Sequence, residues 1–285
     1  MLKLMRTGTE KQQRQTAMTV SCVIPTKNRA GLVCRAIASV HRQESPVLEI
    51  IVVDDGSEDD TPALVTRNFP EVRLLCLPGL GPGPARNAGA AAARGELLMF
   101  LDSDDVWLPG HVAALNRTIA RGYSVAYGVT RTRDLLGNGE FFIPEPSCPP
   151  QGDCLAALAR WCFLVPSAVA IRREAFDAVG GFRDPEPGED WSFFIRLAGQ
   201  FTFGFCGGEP VTLRDLHAGS LCARVDRERL QRLLTSVAGA LADSGAPVQE
   251  QGRFAEMASW TLARETGWQS IQQWYLDLDK ENFIR

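Results

Sequence analysis

The chain has 285 residues, 45% of them apolar and 22% charged, with a formal net charge of −4. That length holds one large α/β domain with a helical appendage, and the charge excludes a general electrostatic pull toward nucleic acid or an anionic membrane. No apolar stretch is long enough to span a bilayer and the start carries no signal-peptide pattern, so peripheral contact is the membrane association left open.

Residues Met1 to about Met18 are polar and lack apolar periodicity, which predicts a disordered tail. From Thr19, strands and helices alternate. Val20 to Ile24 reads as a strand stopped by Pro25, and a helix follows from about Leu32 to Arg42. Glu49 to Val53 is a second strand, nearly all apolar, as expected when both faces are covered. It ends in Asp54-Asp55-Gly56-Ser57, and Thr61-Pro62 opens a helix that ends near Phe69. Val72 to Leu77 is a third strand. After the Gly/Pro loop 78–84 comes an Ala-rich helix, Ala85 to Arg94, whose small residues predict close packing on the sheet. A fourth strand runs into Asp102. A helix from Pro109 to about Arg121 and a strand at Ser124 to Tyr127 follow.

This order predicts a parallel sheet with right-handed crossovers, helices on both faces, and ligands beyond the carboxyl ends of the strands. Pro25, Asp55, Asp102 and Asp104 all fall at those ends, which argues for one shared site.

The second half is less regular. Thr130 to Pro150 reads as a hairpin and an irregular loop, Ser167 to Arg172 as a strand, Arg173 to Val179 as a short helix, and Gly180-Gly181 as a break. Asp190 to Ala198 is helical, Pro210 to Arg214 is a strand, and three amphipathic helices close the chain at about 226–243, 248–265 and 268–279.

The eight cysteines, Cys22, Cys34, Cys76, Cys148, Cys154, Cys162, Cys206 and Cys222, form no C-x-x-C pair, so no zinc site is expected. Several lie within apolar patterns as small hydrophobes, which fits a reducing cytoplasm. Cys148 and Cys154 flank a Pro-rich loop and could pair on oxidation. His41 and His111 read as helix-surface positions. Trp107 and Trp191 flank acidic motifs but read first as core residues, and Trp260, Trp268, Trp274 and Tyr275 as packing of the last helices.

The stretch Phe100-Leu101-Asp102-Ser103-Asp104-Asp105-Val106-Trp107 concentrates the chemistry. In an extended segment Asp102 and Asp104 share a face and make a hard oxygen site suited to Mg²⁺ or Mn²⁺. The competing reading is an acidic turn before a helix. Asp55 can accept a hydrogen bond from a pyrimidine ring N–H, or serve turn chemistry as Asp54 does. Glu58, Asp59 and Asp60 read as solvated loop and cap residues. Arg86 and Asn87 open a helix after the Gly/Pro loop, where amides and a guanidinium suit phosphate oxygens, and where Asn87 could equally cap or pack.

Taken in order, Cys22-Val23-Ile24-Pro25-Thr26-Lys27-Asn28-Arg29, the stretch Ile51 to Thr61, Pro84-Ala85-Arg86-Asn87-Ala88-Gly89, the acidic stretch from Phe100 to Pro109, Val179-Gly180-Gly181-Phe182 and Gly188-Glu189-Asp190-Trp191 resemble the family-2 glycosyltransferases. The resemblance runs from about Val20 to Ser220. It implies a GT-A, Rossmann-like fold: an α/β architecture with a mostly parallel central sheet, helices on both faces and a C-terminal helical segment. The implied division is a tail over 1–18, a glycosyltransferase domain over 19–222 (nucleotide-binding half 19–127, acceptor half 128–222) and helices over 223–285.

The implied activity is inverting transfer from a nucleotide sugar, most simply a UDP-sugar, to an acceptor hydroxyl of a carbohydrate or glycolipid. Mn²⁺ or Mg²⁺ assists, and the setting is the cytoplasm. By resemblance Asp190 is the general base. Pro25, Thr26, Asn28, Arg29, Asp55, Arg86, Asn87, Asp102, Ser103 and Glu189 contact the nucleotide sugar. Asp102, Asp104 and His217 lie at the metal. Against catalysis, Asp190 could be an N-cap and His217 a structural residue. Two other classes remain. A sugar nucleotidyltransferase would want a Gly-rich basic loop after the first strand, where this chain has Pro-Thr-Lys-Asn-Arg. A non-catalytic nucleotide-sugar binder would lack the metal pair or the base, and both are here.

Overall fold

A computed structural model describes residues 18–135, 139–145, 147–183, 187–217 and 226–263. The expected tail, Cys222, the helix at 268–279 and the aromatic residues Trp268, Trp274 and Tyr275 lie outside the described residues.

The first half follows the expected alternation. Strands β1 (Val20–Thr26), β2 (Glu49–Asp54), β3 (Arg73–Cys76) and β4 (Leu97–Phe100) are joined by helices α1 (Ala30–His41), α2 (Thr61–Asn68) and α3 (Pro82–Ala92). They lie side by side in the order β3-β2-β1-β4, all parallel. Pro25 does not stop β1, which continues through it to Thr26 alongside Asp54 of β2. Side chains alternate between two buried faces. Val23, Val53 and Phe100 pack on one side, while Cys22, Ile24 and Val52 pack against Val33, Ile37 and Val40 of α1 on the other. Gly89 lets α3 lie close on the sheet, because a Cβ there would sit 2.3 Å from Val23 Cγ1.

Beyond β4 the sheet is mixed rather than parallel. After the short β5 (Val106–Trp107) and α4 (His111–Ala120) come β6 (Val125–Asp134) and β7 (Gly139–Ile143), which form the expected hairpin. Then follow α5 (Leu155–Arg160), a 3₁₀ turn at Pro166–Ala168, β8 (Val169–Arg172), α6 (Arg173–Ala178), α7 (Glu189–Ala198) and β9 (Phe203–Leu216). Strand β8 is antiparallel to both β4 and β6, and β9 is parallel to β6. Direction decides what meets what. An antiparallel β8 begins where β4 ends, so Ser167 reaches the acidic loop. Strand β9 runs the same way as β6 and delivers His217 to that same edge.

Helices α8 (Arg227–Asp243) and α9 (Val248–Ala263) complete the described chain. Leu230, Leu233, Leu234 and Val237 of α8 join Trp191, Phe194 and Phe254 in one core, so these helices pack directly onto the helix that carries Asp190.

Candidate active site

Three loops at the carboxyl edge of the parallel strands make the site, and hydrogen bonds hold them to one another. Asn28 adopts a left-handed backbone, with φ 52°. Its N–H donates to Ser57 Oγ (2.8 Å), its Oδ1 accepts from Glu58 N (2.8 Å), and the next amide, of Arg29, donates to Thr61 Oγ1 (3.0 Å). The loop after β1 is thereby fixed to the loop after β2. Asp54 is a turn residue, accepting from Ser57 N (3.1 Å) and from the Ser57 hydroxyl. Asp55 is 6% exposed, and its two oxygens accept the amides of Leu80 and Gly81 at 2.7 Å each. Its carboxylate therefore shapes the Gly/Pro loop that leads into α3. Pro25, Thr26 and Ser103 are buried along the same edge.

The acidic loop is a turn, not an extended segment, since Asp105 N bonds Asp102 O at 2.9 Å. The two-residue alternation expected of a strand does not hold there, and the three carboxylates take different partners. Asp102 Oδ1 accepts from Arg86 Nη2 (2.7 Å). Asp104 Oδ2 pairs with Arg29 Nη1 and lies 3.4 Å from His217 Nε2, and the Asp104 carbonyl accepts from Arg35 Nη2 (2.6 Å). Asp105 is buried and accepts from Ser167 Oγ (2.5 Å). Burial, with Asp102 and Asp104 adding to it, pushes the Asp105 carboxyl well above its ordinary range.

Arg86 joins this loop to α7. Its Nη1 donates to Glu189 Oε1 (3.0 Å), and its side chain is only 5% exposed. Burial works against its charge, but Asp102 and Glu189 outweigh that and hold the guanidinium firmly protonated. Asn87, the next residue, has both ends of its amide on the Phe182 backbone, donating to its carbonyl (2.7 Å) and accepting from its N–H (2.9 Å). Asn87 thereby ties α3 to the Gly180-Gly181 break.

Asp190 is not the helix cap. That position is Gly188, with φ 103°, where a Cβ would lie 3.1 Å from Leu233 Cα of α8. Asp190 is half-buried in the first turn, and one oxygen accepts from Trp191 N (2.7 Å). Burial and the Glu189 charge raise its pKa to about 6, against the pull of Arg86. The raised carboxyl thus stands beside the guanidinium that also grips the acidic loop.

One expectation is corrected. His111 is fully buried, not on a helix surface. It stacks on Trp107 with 4.2 Å between centroids, its Nδ1 lies 3.2 Å from the Val211 carbonyl, and burial lowers its pKa to about 3. Trp107 and Trp191 are core residues whose indole N–H groups donate to Ser167 O and Leu158 O (2.8 and 2.7 Å). Cys148 is exposed, Cys154 is buried, and both are free thiols.

Ser167, Arg35 and Asp215 were not singled out from sequence. Asp215 gathers Arg35 Nη1 (3.1 Å) with Arg133 Nε and Nη2 (2.7 and 2.9 Å), two residues before His217. The one available signal was Ser167 itself, polar within the apolar run from Phe163 to Ile171.

The glycosyl transferase family 2 model matches residues 21–180. The uncharacterized glycosyltransferase alr2836 of Nostoc is 34% identical over 173 residues, covering 57% of this chain and 53% of that protein. The GalNAc(5)-diNAcBac-PP-undecaprenol beta-1,3-glucosyltransferase of Campylobacter jejuni is 35% identical over 114 residues, covering 38% and 37%. The chain thus spans about half the length of the first relative and less of the second. Among solved structures, residues 1–349 of S. aureus TarS in complex with UDP-GlcNAc superpose with a TM-score of 0.64 at 19% identity, covering 83% of this chain and 70% of that one.

Proposed function

The chain belongs to glycosyl transferase family 2, and from that premise we propose that it transfers a sugar, with inversion, from a UDP-sugar to a hydroxyl of a glycan or glycolipid, with Asp190 as the base. The observation that carries this reading is Arg86, which bonds Asp102 on one side and Glu189 on the other and so brings the acidic loop beside Asp190. The TarS complex with UDP-GlcNAc supports this donor, and the Campylobacter GalNAc(5)-diNAcBac-PP-undecaprenol beta-1,3-glucosyltransferase supports a lipid-linked acceptor. No described helix is long and apolar enough to cross a membrane. The cytoplasm is the proposed setting.

In this mechanism the acceptor hydroxyl gives its proton to the free oxygen of Asp190 while its own oxygen bonds the anomeric carbon. The bond from that carbon to the diphosphate breaks, and the electron pair leaves with the nucleoside diphosphate. With a pKa of about 6, Asp190 is mostly ionised at neutral pH yet basic enough to accept a proton. Trp191 N–H fixes the carboxylate's orientation, which matters more for a base than an extreme pKa. Arg86 supplies fixed positive charge beside the acidic loop, where negative charge develops on the leaving group.

Two side chains of the site suit a hard divalent cation. Among the described residues no three His, Cys, Asp or Glu side chains gather as a metal cage, but Asp104 and His217 converge. Mg²⁺ and Mn²⁺ suit such a site, because they take few protein ligands and complete their shell with water and substrate phosphates. Asp104 and His217 would hold the ion, with Asp102 kept on Arg86, and the ion would supply charge neutralisation for the departing diphosphate. A screen of UDP-sugars for slow, metal-dependent donor hydrolysis tests the proposal without a known acceptor. Hydrolysis of at least one UDP-sugar is expected, and none with any of them overturns the donor assignment.

A further inference from the structure

We propose that Ser167 is a positioning residue for the donor diphosphate: it sets the backbone of the acidic loop without touching substrate. The inference rests on the nucleotide-sugar reading above. Ser167 is fully buried and lies where antiparallel β8 begins, against the end of β4. Its Oγ accepts from Asp102 N (3.0 Å) and donates to Asp105 Oδ2 (2.5 Å), so one hydroxyl clasps both ends of the Asp102–Asp105 turn. Its carbonyl accepts from Trp107 Nε1 (2.8 Å), which anchors the residue leaving the loop, and from Thr212 Oγ1 (2.9 Å) on β9, the strand that ends beside His217. A single residue from the second half of the chain therefore fixes where Asp102 and Asp104 stand relative to β9.

The chemistry explains why a hydroxyl belongs there. The turn must offer a main-chain amide, at Asp102, and a buried carboxyl, at Asp105, within reach of one another. A hydroxyl both accepts and donates, and can satisfy the two at once. An alanine satisfies neither, and the loop can regain its hydrogen bonds only by moving toward water. Asp102 would then leave its bond to Arg86, and Asp104 its place beside His217.

The experiment measures calorimetric binding of UDP, GDP and dTDP, each with MnCl₂, to full-length wild type, Ser167→Ala, Ser167→Thr and Ser167→Cys. Thr212→Val serves as a comparison. It removes a different bond to Ser167, outside the acidic loop. The nucleotide bound by wild type should bind Ser167→Ala at least about tenfold more weakly, because the displaced loop must be drawn back before Asp102 and Asp104 can serve the site. Binding is read at a temperature where unfolding curves show the protein folded. Ser167→Thr, which keeps the hydroxyl, should restore most of the affinity, and Thr212→Val, which leaves both Oγ bonds to the acidic loop in place, should weaken binding less than Ser167→Ala does. If Ser167→Ala does not fold, Ser167→Cys carries the test, because a thiol donates weakly and should weaken binding in the folded protein. Lower thermal stability with unchanged affinity would make Ser167 merely structural and overturn the inference. A wild type that binds none of the three nucleotides would instead overturn the donor reading beneath it.

Discussion

Replacing Asp190 by Asn removes the base and, on this account, also stabilises the protein at neutral pH. Burial and Glu189 hold the Asp190 carboxyl at about 6, against an ordinary 3.8. At a pH below both values the group is protonated folded and unfolded alike and contributes no difference. Between them the unfolded chain releases its proton while the folded chain keeps it, so stability falls as pH rises through that window. Above about pH 6 the folded protein carries the half-buried carboxylate in its ionised form, at the cost set by that shift. Two pKa units at 1.36 kcal/mol each put that cost at about 2 to 3 kcal/mol. Asparagine carries no charge, and its Oδ1 still accepts from Trp191 N–H. Urea denaturation should therefore find Asp190→Asn more stable than wild type by about that amount at pH 8, and little different at about pH 4. Transfer should fall by about 10²–10⁴-fold with nucleotide binding retained, and the wild-type rate should rise with pH through about 6. A variant no more stable at pH 8, or one transferring at the wild-type rate, refutes the reasoning.

Arg86→Met strands Asp102 and Glu189 without their shared cation, and chemical denaturation should show a loss of about 3–5 kcal/mol, as for a broken buried ion pair. Gly89→Ala places a methyl 2.3 Å from Val23 Cγ1 and 3.1 Å from Val53 Cγ2. It should cost about 1–3 kcal/mol in the same assay, by overpacking α3 against the sheet. Asp104→Ala should abolish the Mn²⁺ dependence of UDP binding in calorimetry while leaving the unfolding transition cooperative. His217→Ala should weaken that dependence without abolishing it.

The parallel half of the fold was legible because its signals are local. The apolar runs at Val20, Glu49 and Leu97, each closed by polar or acidic residues, report their own burial. The small residues of α3 likewise foretold the close approach at Gly89. Where the sequence misled, the deciding contacts were distant. Strand β9 was visible only from Pro210 to Arg214 because Gly207-Gly208-Glu209 interrupts its pattern. The register shifts opposite Tyr127 and Val129 absorb that interruption, and the strand runs on from Phe203 to Leu216. His111 follows a Pro-Gly turn and looks exposed, yet the Trp107 ring and the Val211 carbonyl bury it. The site divides the same way. Its acidic and Asp-Gly-Ser loops announce themselves, whereas the reach of Arg86 to Glu189 and of Ser167 to Asp105 spans 103 and 62 residues. No local pattern encodes those separations.

The central claim is tested most directly by incubating wild type and Asp190→Asn with the UDP-sugar that wild type hydrolyses, a panel of glycan and lipid-linked acceptors and MnCl₂, and following the anomeric signals by NMR. The account predicts UDP release with a product of inverted anomeric configuration from wild type, and bound but unreacted donor with the variant. Retained configuration, or equal turnover by both proteins, contradicts it.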